Sequence, residues 1–284
     1  MSARRPHGAI MIAVHVGLAI ATTLVLYPVV MVLKKAFEPG RTLSASASPL
    51  PRDLTLDHFR ELFAARGSHG ELAFLHHAGA SLVVAIATTL VGIVLACTAA
   101  YALSRFRFPG RRGALTGFLV VQMFPASLLM IPLYVLLHEL GLLNSLVGLI
   151  LVYSTTAIPF CVWTLKGYFD SLPRELFEAA RVDGAGPVRI FWSIVVPLAR
   201  PGIAVTALFS FMTAWNEYIL ASTFLTDESK YTLPVMLKAS VGEFSADYGR
   251  FAAGAIVTSV PVMALFYVLQ KYLVGGLTAG AVKG

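Results

Sequence analysis

The sequence predicts an all-α membrane protein with several transmembrane helices, and three observations support this fold class. Of its 284 residues, 57% are hydrophobic and only 13% are charged, whereas a soluble domain carries about 25% charged residues. The mean hydropathy is +0.76. Six apolar runs match the length of about 20 helical residues that crosses a hydrocarbon core. Their approximate bounds are 9–33, 78–103, 114–137, 146–166, 201–225 and 251–274.

The first run has one feature of a signal peptide, because Arg4 and Arg5 precede it. Its apolar stretch of about 25 residues is longer than the about 7 to 15 residues of a signal sequence. The small residues Ala45, Ser46 and Ala47, which would form a cleavage site, lie well beyond the end of the run. We therefore interpret the first run as a retained transmembrane helix.

The net charge of +7 indicates membrane topology rather than nucleic-acid binding, since Lys and Arg lie at the ends of apolar runs. The linker 104–113, after the second run, carries four arginines, whereas the linker 138–145 carries no Lys or Arg. The positive-inside rule then places 104–113, the segment 167–200 and both termini in the cytoplasm. Lys34 and Lys35 disagree with this orientation, so the prediction rests on the short linkers.

A short charged stretch, ELFEAARVDGAGP, interrupts the apolar runs at 175–187. Ser171 is expected to cap a helix there, with Pro173 in its first turn, and Gly184 is expected to end that helix after Val182. A helix of this length is not stable alone in water, so it must pack on another surface. Its apolar residues cluster toward one side, and this pattern fits a membrane surface, the chain's own helix bundle and the groove of a partner protein equally well.

Residues 178–197, EAARVDGAGPVRIFWSIVVP, resemble the EAA loop of type I ABC importer permeases, which reads Glu-Ala-Ala, then Gly, then Ile-x-x-Pro. The resemblance implies a MetI-like permease fold with six transmembrane helices. In that family the loop forms a coupling helix that is held in a cleft of the ATPase subunit. The residues to which this resemblance gives a coupling role are Phe177, Glu178, Ala179, Ala180, Asp183 and Gly184.

A narrower resemblance, to the MalG family of smaller maltose/maltodextrin permease subunits, covers almost the whole chain. The similar segments are YALSRFRFPG at 101–110, VQMFPA at 121–126, VWTLKGYF at 162–169, KYTLPV at 230–235 and LVGGLTAGAVKG at 273–284. The resemblance implies four partners: a larger MalF-like permease, two MalK-like ATPase subunits and an external sugar-binding protein. It also implies that Gly280, Lys283 and Gly284 approach the ATPase dimer, and that a loop near 227–248 meets the binding protein.

ATP chemistry is expected on another polypeptide. The chain contains no Gly-Lys pair, so it lacks the G-x-x-x-x-G-K-[ST] phosphate loop. We therefore expect no cofactor, no metal and no catalytic residue in this chain, with ATP bound by the partner ATPase subunits. The predicted domains are a transmembrane helix with an external loop at 1–77, a permease domain at 78–274 that includes the EAA loop 167–200, and a cytoplasmic tail at 275–284.

An ion-coupled secondary transporter is the main alternative, and it needs ionisable residues within the membrane. His15 and Glu217 are the candidates; His15 is expected to bond a neighbouring helix. Glu217 is expected to line a pathway or gate, to join helices, or to carry protons, and the sequence leaves these open. The side chains with the chemistry to line a sugar path are Gln122, Tyr153, Thr155, Asn216 and Glu217.

Together these features predict a permease subunit of an ATP-driven ABC importer in the cytoplasmic membrane of a prokaryote. The expected surroundings are the lipid bilayer and protein partners, with no nucleic acid. Maltose or maltodextrin is the expected substrate, and trehalose or another oligosaccharide stays open.

Overall fold

The computed structural model describes residues 8–43, 46, 48–51, 53–242 and 246–281, and most of these are helical. The α-helices in chain order are α1 Gly8–Phe37, α2 Asp57–Ala64, α3 Ala73–Arg105, α4 Arg111–Met123, α5 Ala126–Glu139, α6 Leu146–Asp170, α7 Arg174–Val182, α8 Pro187–Ile190, α9 Val196–Leu198, α10 Arg200–Trp215, α11 Ile219–Phe224, α12 Leu233–Ala239 and α13 Tyr248–Ala281. A π-helical turn, Phe191–Val195, joins α8 to α9, and a 3-10 turn, Glu228–Lys230, precedes α12. The predicted all-α fold is confirmed.

By length and composition, four helices are able to cross a membrane: α1, α3, α6 and α13. Two bent pairs raise the number to 6 when each pair is counted as one span. One pair is α4 with α5, and the other is α8–α9 with α10, which bends by 77°. The predicted number of six spans is therefore reached only with the bent pairs included.

Two of the predicted apolar runs are not continuous helices. The run 114–137 breaks at Phe124, which is extended (φ −78°, ψ 126°) because the following Pro125 excludes helical geometry at the preceding residue. The run 201–225 contains the end of α10 at Trp215 and a new start at Ile219. Both breaks lie inside apolar stretches that hydropathy alone predicts as single helices.

Close approach of α3, α6 and α10 builds the centre of the bundle, because α3 packs along α6 and α10 packs against both. Glycine makes this approach feasible. A Cβ atom added at Gly92 of α3 would lie 2.9 Å from Oγ of Ser210, and one added at Gly202 of α10 would lie 2.9 Å from the ring of Tyr168. Small residues at such contacts are the usual means of packing helices in membranes.

The contacts divide the chain into two units, 1–66 with 237–258, and 67–236 with 259–284. Within the first unit, Ala36, Ala252 and Ala253 form a small buried cluster. The second unit contains the bundle core and all the functional candidates discussed below, apart from those in α1. The predicted domain boundaries at 77 and 274 stay predictions.

Candidate functional site

The charged helix α7 begins close to the end of α6, which ends at Asp170. It starts at Arg174, and Pro173 is its N-cap residue, so the predicted cap at Ser171 is wrong. The hydroxyl of Ser171 instead donates to the carbonyl oxygen of Tyr168 at 2.7 Å, which places this residue at the end of α6. As a result, only a tight turn separates α7 from a long bundle helix.

The end of α7 is confirmed at the predicted glycine. Gly184 has a φ of +78°, a conformation that L side chains rarely adopt. The N–H of Ala185 donates to the carbonyl of Ala180 at 2.9 Å, and the N–H of Gly184 donates to that of Arg181 at 3.0 Å. This pair of bonds is a Schellman motif, which closes the helix and fixes the direction in which the chain leaves it.

Two apolar stripes run along α7. Phe177 and Ala180 face inward and are only 6% and 9% exposed, in a core cluster with residues of α3 and α6. Leu176, Ala179 and Val182 are spaced three residues apart, so they share another side of the helix. This outward stripe is open: Leu176 is 42% exposed and Val182 is 88% exposed. The helix therefore has two apolar sides where one was predicted, and the described part of the chain covers only the inward one.

Residues at the end of α3 hold α7 and α8 in position. The guanidinium of Arg105 lies 3.8 Å from the ring centroid of Phe177, and its Nη2 donates to the carbonyl oxygen of Phe169. The hydroxyl of Tyr101 donates to the carbonyl oxygen of Pro187 at 3.2 Å. These contacts were not predicted from the sequence, although an arginine and a tyrosine at the end of an apolar run were a usable signal.

The carboxylates of Glu178 and Asp170 differ in the partners that they contact. Asp170 accepts a hydrogen bond from Ser104 at 2.6 Å and pairs with Lys166 at 2.6 Å. Glu178 forms no ion pair and no side-chain hydrogen bond within the part of the chain that the structure describes. Its charge is therefore available to a group outside this chain.

Glu217 lies in the break between α10 and α11 and accepts three hydrogen bonds. The hydroxyl of Tyr153, on α6, donates to Oε2 at 2.7 Å. The backbone N–H groups of Leu220 and Ala221 donate to Oε1 at 2.8 Å and to Oε2 at 3.0 Å. Glu217 thus satisfies free donors at the start of α11 and joins that helix to α6.

The other sugar-path candidates occupy different surroundings. Three of them are exposed: Gln122, Thr155 and Asn216. Tyr153 is only 1% exposed and its hydroxyl is bonded to Glu217, so it lines no open path here. A role in translocation for the remaining candidates stays a prediction.

The remaining candidates lie at the chain ends. His15 contacts the carbonyl oxygen of Met11 at 2.7 Å within its own helix rather than the neighbouring helix that was predicted. Gly280 lies in the last turn of α13. Lys283 and Gly284 lie outside the described residues, so their predicted contact with an ATPase stays a prediction.

Near the start of α6, Asn144 joins the linker before this helix to the linker after α11. It has a φ of 53°, and its Oδ1 accepts the N–H groups of Thr226 at 2.6 Å and Asp227 at 3.0 Å. Its Nδ2 donates to the Thr226 hydroxyl at 2.9 Å. The hydroxyl and the N–H of Ser229 hold the pKa of Asp227 below its ordinary value. The beginning of the predicted 227–248 loop is therefore firmly anchored.

Several known proteins similar to this chain are permease proteins of sugar transport systems. The chain is 41% identical over 268 residues to the galactooligosaccharides transport system permease protein GanQ of Bacillus subtilis, covering 94% of this chain and 93% of the relative. It is 37% identical over 274 residues to the maltodextrin permease protein MdxG of the same organism, covering 96% of each. It is 35% identical over 287 residues to the trehalose permease protein SugB of Mycobacterium tuberculosis, covering 100% of each.

The fold is also that of a solved transporter. A bacterial ABC transporter involved in the import of the acidic polysaccharide alginate matches with a TM-score of 0.78 and 24% identity, covering 96% of this chain and 99% of the solved one. At this identity the likeness shows the fold alone. Residues 89–278, more than half of the chain, match the family described as binding-protein-dependent transport system inner membrane component. The chain therefore belongs to this family of ABC transporter permeases.

Proposed function

We propose that this chain is one transmembrane subunit of an ATP-driven importer that moves an oligosaccharide across the cytoplasmic membrane. The relatives named above transport galactooligosaccharides, maltodextrin and trehalose, which together support an oligosaccharide substrate. Within this class we retain maltose or maltodextrin as the specific proposal. The absence of a Gly-Lys pair supports ATP hydrolysis on a separate subunit.

The observation that carries this proposal is the open side of α7. An apolar stripe of Leu176, Ala179 and Val182 is exposed, and the unpaired carboxylate of Glu178 lies beside it. A short amphipathic helix in a groove is a recurring mode of protein recognition, with anchors at such spacing. We assign this surface to the ATPase subunit, with Glu178 reaching a basic group in its cleft.

The position of α7 also fits the transmission of movement. Its inward stripe is buried, Arg105 clamps Phe177 from α3, and the Schellman motif at Gly184 closes its end. A helix fixed in this way moves with the bundle to which it is bound. Closure of an ATPase dimer would therefore displace the transmembrane helices rather than α7 alone.

The proposed assembly contains a larger homologous MalF-like permease, two MalK-like ATPase subunits and an external sugar-binding protein. In the proposed orientation both termini and α7 lie in the cytoplasm, as the arginines of the short linkers indicate. The Asn144-anchored linkers then lie outside, where a binding protein delivers its sugar.

Reversing the charge of Glu178 tests the proposal. We expect Glu178→Lys to insert and fold normally in the complete transporter, but to retain less ATPase subunit on purification and to lose sugar-stimulated ATP hydrolysis. A suitable control is Glu139→Lys, because Glu139 is also exposed and is the last residue of α5, outside α7. Co-purification, ATP hydrolysis and uptake of labelled oligosaccharide are the measurements.

Normal uptake by the Glu178 variant, with the ATPase retained as in the wild type, would reject the role of Glu178. If this chain purifies from its native membrane without any ATPase, the proposal of an ATP-driven importer is rejected.

A further inference from the structure

The linker between α3 and α4 lies between two cavities that together are lined by six arginines. One cavity, of about 630 Å³, lies between this linker and α7, and the other, of about 660 Å³, lies at the start of α4. We call their lining the arginine basin: Arg105, Arg107, Arg111, Arg112, Arg174 and Arg181. Arg107 and Arg111 line both cavities. Two carboxylates, Asp170 and Glu178, line the first cavity, and only arginines contribute charge to the second.

The positive charge of the basin is not balanced within the described residues. Asp170 is already engaged by Ser104 and Lys166. Arg107 and Arg112 are exposed, and in the described part of the chain they form no ion pair and no side-chain hydrogen bond. The Nε atom of Arg105 is buried without a hydrogen-bond partner. An anionic ligand in the basin would provide partners for the exposed guanidinium groups of Arg107 and Arg112.

The backbone around the second cavity also favours an anion. Arg111 is held there by a bond from its Nε to the carbonyl oxygen of Leu103 at 2.6 Å. The N-cap residue of α4, Gly110, supplies no side-chain acceptor, and the first turn contains no acidic residue. Helix starts favour negative charge, so two arginines in the first turn oppose the helix dipole unless an anion lies between them.

The chemistry of the surroundings selects the anion. Guanidinium groups bind the oxygens of a phosphate in pairs. Phe106 and Phe108 are exposed beside the arginines, and apolar residues of α4 begin within a turn. Aromatic and basic residues together at the end of a transmembrane helix are typical of the headgroup region of a bilayer.

We propose that the arginine basin binds a phosphate group and that this group is the headgroup of an anionic phospholipid. The assignment to the cytoplasmic leaflet rests on the orientation given under the proposed function. Lipid binding itself does not depend on transport. A soluble phosphate is the other source of the same chemistry, and the test separates the two.

The test compares lipid binding by two double variants of the full chain in its purified complex. Arg107→Gln/Arg112→Gln removes two basin charges that form no ion pair and no side-chain hydrogen bond among the described residues. Arg189→Gln/Arg200→Gln removes two exposed cytoplasmic charges that line neither cavity, so the net charge is matched. Phosphatidylglycerol is titrated in mild detergent, and the bound lipid is counted by native mass spectrometry, with phosphatidylcholine as the zwitterionic control without net charge.

We expect the basin variant to bind phosphatidylglycerol about 25-fold more weakly than the wild type, at about fivefold for each of the two guanidinium groups that contact the phosphate in the proposed site. The control variant should bind as the wild type does. Equal binding by the basin variant, or an equal loss in both variants, would overturn the proposal.

Inorganic phosphate is titrated in a second arm. Failure of millimolar phosphate to displace the lipid supports the phospholipid. Displacement of the lipid, together with phosphate binding that the basin variant loses, would overturn the lipid assignment and identify a soluble phosphate as the ligand. Neither arm measures transport, so the outcome is independent of the Glu178 experiment.

Discussion

Glu178 and Glu217 are both carboxylates in a chain with few charges, and their surroundings differ. Glu178 projects from a short helix, is exposed and has no partner in the described part of the chain. Glu217 lies in a break between two apolar helices and accepts three hydrogen bonds from Tyr153, Leu220 and Ala221. The Glu178 carboxylate is exposed on the surface of the chain, whereas the Glu217 carboxylate is hydrogen-bonded within the chain.

This difference separates the contact that we propose for another protein from a structural element. A carboxylate within a membrane is costly unless it is bonded, and Glu217 uses its oxygens to satisfy backbone donors that a helix start leaves free. Glu178 is exposed, and a charge without a partner in the described residues costs little there, so the proposed recognition role carries no cost in stability. The comparison predicts that changes near α7 affect assembly, whereas changes at Glu217 affect the fold.

The largest effect is expected at Phe177, which belongs to the inward stripe of α7. Phe177→Ala removes a buried ring from the core cluster and from Arg105, at a cost of about 3 to 5 kcal/mol. Leu176→Ala is the control on the outward stripe. It should leave the unfolding of the purified chain nearly unchanged and weaken retention of the ATPase. Denaturant unfolding in detergent measures the first effect, and similar losses in both variants would erase the distinction between the stripes.

A smaller loss is expected at Glu217. Glu217→Ala leaves the hydroxyl of Tyr153 and two N–H groups without their acceptor, which costs about 1 to 3 kcal/mol. Glu217→Gln keeps an acceptor oxygen and should retain both stability and uptake. Thermal unfolding and uptake assays on the two variants measure this. Loss of uptake by the Gln variant at unchanged stability would show that the charge is needed in translocation.

The smallest effect is expected at the end of α7. Gly184→Ala places a side chain at a φ of +78°, which costs about 1 to 2 kcal/mol. Gly186→Ala is a matched control, because its φ is −71° and a Cβ atom at either glycine meets nothing within 4 Å. The difference in unfolding free energy isolates the conformational strain. Equal stability of the two variants would mean that the Schellman motif does not fix α7.

Features that depend on local geometry could be predicted from the sequence. The predicted end of α7 was correct because a glycine with positive φ ends a helix through its own backbone conformation, whatever packs nearby. The predicted start of α7 was wrong because the hydroxyl of Ser171 donates back to the carbonyl oxygen of Tyr168. Whether Ser171 caps α7 or ends α6 therefore depends on how far α6 continues. Hydropathy, in turn, averages over a window, and the breaks at Phe124 and after Trp215 disappear in that average.

The candidate site shows the same limit. The resemblance to the EAA loop identified Phe177 and Glu178, but not that one is buried and the other free. The clamp by Arg105 could not be predicted, because it joins residues 72 positions apart in sequence whose meeting depends on the packing of α3 against α6. The role of Glu217 as a helix cap required the break after α10, which the apolar pattern conceals.

Asn144 has an implication for sequence variation among relatives. One residue there supplies a positive φ, an acceptor for two backbone N–H groups and a donor to the hydroxyl of Thr226. Glycine would meet only the first requirement, and aspartate would offer no donor. Selection on the shape of these linkers should therefore permit very few exchanges at 144, while a change at 226 from Thr to Ser would be silent.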